Sequence, residues 1–305
     1  MAQVKQGSNL KAGIPQLTAA IAKHAPSRGE WYLELAEALD REKNYARALP
    51  YYRAAARRNP QSGYAQQKLG TALRRAGQND EAVAALKKAA ELSPQRALTW
   101  HELGLVYRAQ GKTAEAMEAL QSALERDPQL YEAWNNLGIL RLSEENFQEA
   151  IRIRPDYSDA HGNLGQLLAG QGKTKEAQTE FETALRLRPI DAVTRYNYAM
   201  MLWLMGSYEE AERQLQQSLA ADPDFHDARE TLADLLVAMR REQAAIAQYR
   251  EALRRRPESG RAFFGLGASL AAVGQREEAV LYLRRAAANP AFREKAMEIL
   301  KGLAQ

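Results

Sequence analysis

The chain has 305 residues, 46% of them hydrophobic and 26% charged, a size that would ordinarily fill two domains. Its 42 Lys and Arg against 38 Asp and Glu leave a net charge of +4, without the concentrated basic excess of a nucleic-acid groove. The absence of cysteine excludes disulfides, thiolate nucleophiles and Cys-bound metals, and it fits the cytoplasm and the periplasm alike. The cytoplasm is the expected compartment, with the periplasm open if the chain is a fragment lacking its signal. No apolar run is long enough to span a bilayer, so no membrane insertion is expected.

The elements follow a period. Pro60, Pro94 and Pro128, then Pro155, Pro189, Pro223 and Pro257, stand 34 residues apart, except for one step of 27 between Pro128 and Pro155. Such a period marks a solenoid of stacked units, whose core grows along one axis. Residues 1–28 are a polar tail and one helix, in which Ile14, Leu17, Ile21 and Ala22 precede Pro26 as a second helix precedes its closing proline. The chain therefore reads as opening on half a hairpin, either as a fragment of something longer, the preferred reading, or with an exposed docking face. An array fills residues 29–290, in units 29–62, 63–96, 97–130, 131–157, 158–191, 192–225, 226–259 and 260–290. Residues 291–305 form a last amphipathic helix, with Phe292, Ala296, Ile299, Leu300 and Leu303 on one face, as a cap would.

Within a unit the apolar spacing is 3 and 4, the period of a helix face, as in Trp100, Leu103, Gly104 and Tyr107, then Ala116, Leu120 and Ala123. Gly77, Gly111, Gly172, Gly206 and Gly274 break the run at mid-unit, and the proline blocks the second helix. Each unit is thus a helical hairpin. Gly70, Gly104, Gly138, Gly165 and Gly267 are expected to face Ala82, Ala116, Ala150, Ala177 and Ala279, so that the two helices approach closely. Trp100 and Trp134 fall in a packing slot and read as core.

This grammar resembles the tetratricopeptide-repeat family over residues 29–290. The resemblance implies an all-α, right-handed superhelix of about eight hairpins, with the first helix of each on the concave face. It implies a scaffold that binds proteins rather than an enzyme, with no cofactor.

The fourth unit lacks seven residues: Phe147 and Ala150 lead at once to Ile151-Arg152-Ile153-Arg154-Pro155. The gap is expected after the alanine slot, leaving a shortened second helix near 146–154. Motifs with other meanings yield to the period. Gly111-Lys112-Thr113 and Gly172-Lys173-Thr174 lack the glycine and the strand of a phosphate loop. His24, His101, His161 and His226 lie in different units without ligand spacing, so no metal is expected.

Slots beside the packing residues of each first helix should line the groove. They hold Arg74 in the second unit, Arg108 in the third, Asn135 and Asn136 in the fourth, Asn163 and Gln166 in the fifth, and Tyr196, Asn197, Met200 and Trp203 in the sixth. Asn136, Asn163 and Asn197 share one slot, and aligned amides can bond the donors and acceptors of an extended peptide backbone. This is similar to the asparagine ladder in the repeat arm of the O-linked N-acetylglucosamine transferase. A family subtype that clamps acidic chaperone tails uses Lys and Asn four apart, and no pair here matches it. The expected function is a non-catalytic adaptor binding an extended segment of a partner protein. The alternatives are self-association through the N-terminal half hairpin, for which Ile14, Leu17 and Ile21 would be the contact, and a substrate-recruiting arm of a larger enzyme. No nucleic-acid partner is expected.

Overall fold

The computed structural model describes residues 10–304. Eighteen helices are the regular elements among these residues, and the fold is an all-α repeat solenoid. It divides into two compact units, Met1–Pro155 and Asp156–Gln305, each described by itself. The polar residues before Leu10 lie outside the described residues.

The first unit begins with α1 (Leu10–His24) and continues as hairpins α2 (Glu30–Arg41) with α3 (Tyr45–Arg58), α4 (Gly63–Arg75) with α5 (Asn79–Leu92), α6 (Ala97–Ala109) with α7 (Thr113–Arg126), and α8 (Tyr131–Arg141) with α9 (Glu144–Ile153). The second unit comprises α10 (Ser158–Gly170) with α11 (Thr174–Leu187), α12 (Ala192–Leu204) with α13 (Tyr208–Ala221), α14 (His226–Ala238) with α15 (Glu242–Arg255), and α16 (Gly260–Ala272) with α17 (Arg276–Ala287), followed by α18 (Arg293–Leu303).

The prolines act as steric stops. From α3 to α15 each second helix ends two residues before its proline, and the residue between leaves the helical region, as Asp127 does at φ −142°, ψ 91° before Pro128. The proline ring disfavours helical backbone at the residue before it. The proline carbonyl then takes a second role. It accepts from the side chain six residues on: Trp100 at 2.9 Å from Pro94, Trp134 at 2.9 Å from Pro128, and likewise Arg195 and Arg229. Trp100 and Trp134 are accordingly half-buried: they pack against the core, as their slot suggests, and also tie a loop to the next helix.

The close helix approach is real, but the nearest partner is a large side chain rather than the expected alanine. A Cβ on Gly104 would first meet Leu120 Cγ at 2.7 Å, and Gly267 would meet Leu283 in the same way. Gly165 lies on Phe181 and Gly70 on Leu86. In each case the large residue stands four positions beyond the alanine, and at Gly104 and Gly267 the facing backbone is close as well, Ala116 O at 3.2 Å and Leu283 N at 3.0 Å from the Cβ position.

The short fourth hairpin corrects the expectation further. Gly138 lies on Phe147, and Ala150, five residues before its proline, stands where Ala123 stands before Pro128. Ala150 is therefore the counterpart of Ala123, not of Ala116. Against the third hairpin, α8 is two residues shorter than α6, the turn one shorter, and α9 four shorter than α7. The missing residues come from around the turn, and the packing end of the hairpin is kept.

At the N-terminal end, Ile14, Leu17 and Ile21 are buried in one cluster with Tyr32, Leu35, Leu39 and Tyr52. These three side chains cover the first hairpin and do not form an open docking face. At the other end α18 buries Ala296 and packs on α17 and α16.

Candidate functional site

Within each unit some first helices of successive hairpins touch directly, α4 with α6, α10 with α12, and α14 with α16. The side on which they meet is the inner face, and it carries the expected groove residues. Many of those residues bind one another.

In the first unit the Tyr64 hydroxyl donates to Glu37 at 2.5 Å, and Lys68 lies 3.7 Å from the same carboxylate. Burial, then the Glu37 bond, pushes the Tyr64 phenol up to about 12. Arg75 pairs with Asp40 at 2.8 Å and Arg74 with Glu102 at 2.8 Å. Arg108 donates to Asn136 Oδ1 at 2.6 Å. That bond fixes the amide, whose Nδ2 donates to the Glu132 carbonyl at 2.7 Å and faces His101 Nε2 at 3.3 Å. Burial, more than any neighbouring charge, holds His101 below its ordinary value.

Asn136 thus uses both amide protons and accepts a charge-assisted bond. It is 8% exposed and Asn135 is 5% exposed. Both were expected to face a ligand, and the structure instead packs them inside the first unit. The reason is that the preceding first helix supplies partners, Arg108 and His101, on the side where Asn136 lies.

In the second unit Asn197, half-buried, donates to the exposed Gln166 at 3.2 Å. Asn163 is half-buried on the same helix as Gln166. Tyr196, Met200 and Trp203 recur at spacings of four and three along α12, each half-buried. The Tyr196 ring packs against Phe225 at 5.1 Å, at the entrance to α14. Thr231, Asp234 and Arg261 continue the inner face, with Arg261 Nε donating to Asp234 at 2.9 Å and Nη2 to Thr231 at 3.3 Å. The Glu230 carboxylate accepts from Ser259 at 2.5 Å.

Among the described residues no three His, Asp or Glu side chains stand together as a metal site, and no helix is long and apolar enough to cross a membrane. The polar side chains link helix to helix and the apolar ones on α12 are left part-open. The sequence reading missed the interplay of Asp234, Arg261 and Tyr249. Tyr249 lies on a second helix, and only its phenol at a slot held mostly by leucine or phenylalanine, and by Tyr52 in the first hairpin, hinted at it. Its phenol donates to Asp234, and burial, then that carboxylate, holds it well above its ordinary value.

A family model described as the C-terminal domain of cilia and flagella-associated protein 70 matches residues 15–197. Tetratricopeptide repeat models match residues 168–235 and 230–293. No curated protein sequence matches the chain. Among similar solved structures, the Cut9–Hcn1 hetero-tetramer of the APC/C is 14% identical, with a TM-score of 0.64 over 99% of this chain and 61% of that one. Yeast Tom70 is 18% identical, with a TM-score of 0.57 over 90% of this chain and 60% of that one. PilF of Pseudomonas aeruginosa is 21% identical, with a TM-score of 0.55 over 66% of this chain and 94% of that one. The chain spans less than two thirds of the length of the Cut9 and Tom70 structures, and at these identities the likeness is one of fold. Tetratricopeptide-repeat proteins generally mediate protein–protein interaction and are generally not catalysts.

Proposed function

Because the chain belongs to the tetratricopeptide-repeat family, we propose that it is a non-catalytic scaffold that binds an extended segment of a partner protein along the inner face of its second unit. The observation that carries this reading is the stripe on α12. Tyr196, Met200 and Trp203 are large, half-buried and adjacent, where a solvated helix face would carry charge. Aromatic side chains of this kind supply much of the energy of protein interfaces. Gln166 and Asn197 beside them offer amides to a peptide backbone, and their mutual bond is exposed enough to open for a ligand. The first unit contributes less directly, since Arg74, Arg108 and Asn136 are bonded to its own helices.

A photo-crosslinking residue placed at Trp203, and another at outward-facing Glu209 as control, tests this. Crosslinks from position 203 to a single short segment are expected. A synthetic copy of that segment should bind the wild-type chain and lose roughly 10- to 100-fold in affinity with Tyr196→Ala and Trp203→Ala together. Crosslinks from position 209 alone, or unchanged affinity in the double variant, would overturn the reading.

A further inference from the structure

One stretch of the inner face departs from the repeat. The slots held by Asn197, Met200 and Met201 in the sixth hairpin, and by Thr231, Asp234 and Leu235 in the seventh, hold Gly265, Ala268 and Ser269 in the eighth. Three larger side chains are replaced by three small ones. A cleft of 570 Å³ results between α14 and α16, entirely within the second unit, a size common for ligand sites. Val237, Ala268 and Ala272 line its sides, Tyr249 lies across its depth, and the stacked rings of Phe264 and Phe292, 5.6 Å apart, flank it.

The protein cannot simply refill this space. A Cβ on Gly265 would strike the Tyr249 ring, and that ring is held by its hydroxyl on Asp234. One Asp234 oxygen accepts from Tyr249 and the other from Arg261. With Arg240 and Glu242 also on the lining, two acidic and two basic side chains balance, which favours an uncharged occupant.

One polar atom is left over. Ser269 lines the cleft and is 2% exposed, and its buried Oγ has no hydrogen-bond partner. Its slot holds leucine or methionine in the neighbouring hairpins, where no such atom arises. A buried hydroxyl without a partner calls for an explanation, and a ligand that bonds it is one.

We propose that this cleft is an anchor pocket of the inner face and that it takes a tyrosine side chain of the bound segment. The aromatic walls receive the ring, and the Ser269 hydroxyl meets the phenol. Tyrosine combines an uncharged apolar body with one polar tip, which is what the walls and the lone hydroxyl together require. The identity of the occupant as part of a protein segment rests on the reading of the preceding subsection, whereas the pocket is testable without it.

The full chain, labelled for amide NMR, is titrated with p-cresol, the tyrosine side chain as a free molecule, and with toluene, the same ring without the hydroxyl. Saturable p-cresol shifts centred on Val237, Ala268 and Ser269 are expected, at an affinity about fivefold above toluene, the fold-change of one neutral hydrogen bond. Ser269→Ala should bring p-cresol down to the toluene level and leave toluene unchanged. Ala268→Met, which restores the residue type of Met200, should abolish both. No saturable p-cresol binding, shifts centred elsewhere, or a preference that survives Ser269→Ala would overturn the proposal. A failed p-cresol titration leaves the crosslinks from position 203 standing. Lost crosslinks with intact p-cresol binding leave the pocket standing as a site for a hydroxylated ring.

Discussion

Gly138 lies flat against the ring of Phe147, nine residues later, whereas Gly104 meets Leu120 sixteen residues later. The seven-residue shortening is therefore absorbed between the two contact points, and the contact itself is kept. A Cβ on Gly138 would fall 2.6 Å from two ring carbons of a side chain that is itself fully packed.

Gly138→Ala is accordingly expected to destabilise the first unit by about 2 kcal/mol, overpacking outweighing the better helix propensity of alanine. Gly170→Ala is the control. Its Cβ meets nothing within 4 Å, so it should be neutral or stabilising. Urea unfolding of the two variants separates these outcomes, and equal effects would show that the Phe147 ring can move aside.

The fourth hairpin also shows what could be read from sequence. The period, the hairpin and the closing prolines were legible because each depends on one local rule. The register of Ala150 was not, because alanine occupies two slots of the repeat and only the contact of Phe147 with Gly138 decides between them. The inner face was legible as a position and not as an occupant. Asn136 and Asn197 share a slot, yet Asn136 has Arg108 one hairpin back and Asn197 has Gln166, so the first is bonded inside and the second stays half-buried. The pocket was missed because it is made by absent volume at Gly265, Ala268 and Ser269, which periodicity does not flag.

Three turns lack the glycine found in the other five. Lys43, Leu142 and Arg240 take left-handed backbone at φ 58°, 51° and 59°, close to Gly111 at 72°. A side chain there costs roughly 1–2 kcal/mol, of which the added freedom of glycine in the unfolded chain returns part. Lys43→Gly should thus stabilise the first hairpin by about 0.5–1 kcal/mol, read as slower amide exchange in α2 and α3. Faster exchange there would show that Lys43 makes a contact worth more than the strain.

The buried hydroxyl of Ser269 gives a prediction independent of any ligand. Removing an unsatisfied buried group recovers part of its desolvation cost, on the order of 1 kcal/mol. Ser269→Ala should therefore unfold at higher denaturant than wild type. A lower midpoint would mean that the hydroxyl has a partner in solution.

His101 should make the first unit sensitive to acid. Asn136 presents N–H to His101 Nε2, so that nitrogen must accept and the ring must be neutral. Burial is the largest influence and favours the neutral form; Glu102 and Glu132 oppose it, while Arg74 and Arg108 add to it. The folded chain therefore binds the proton less readily than the unfolded chain, whose histidine titrates near about 6.5. Between that value and the lower folded one, the unfolded state holds more protons, so stability rises with pH. The contribution is complete above about pH 7 and is lost as pH falls through the folded value. His101→Gln, which keeps a polar side chain but cannot titrate, should flatten this dependence, narrowing its stability difference from wild type between pH 7.5 and pH 5. A difference that stays constant across that range would mean that His101 keeps its proton equilibrium on folding, and that the Asn136 bond opens to let it do so.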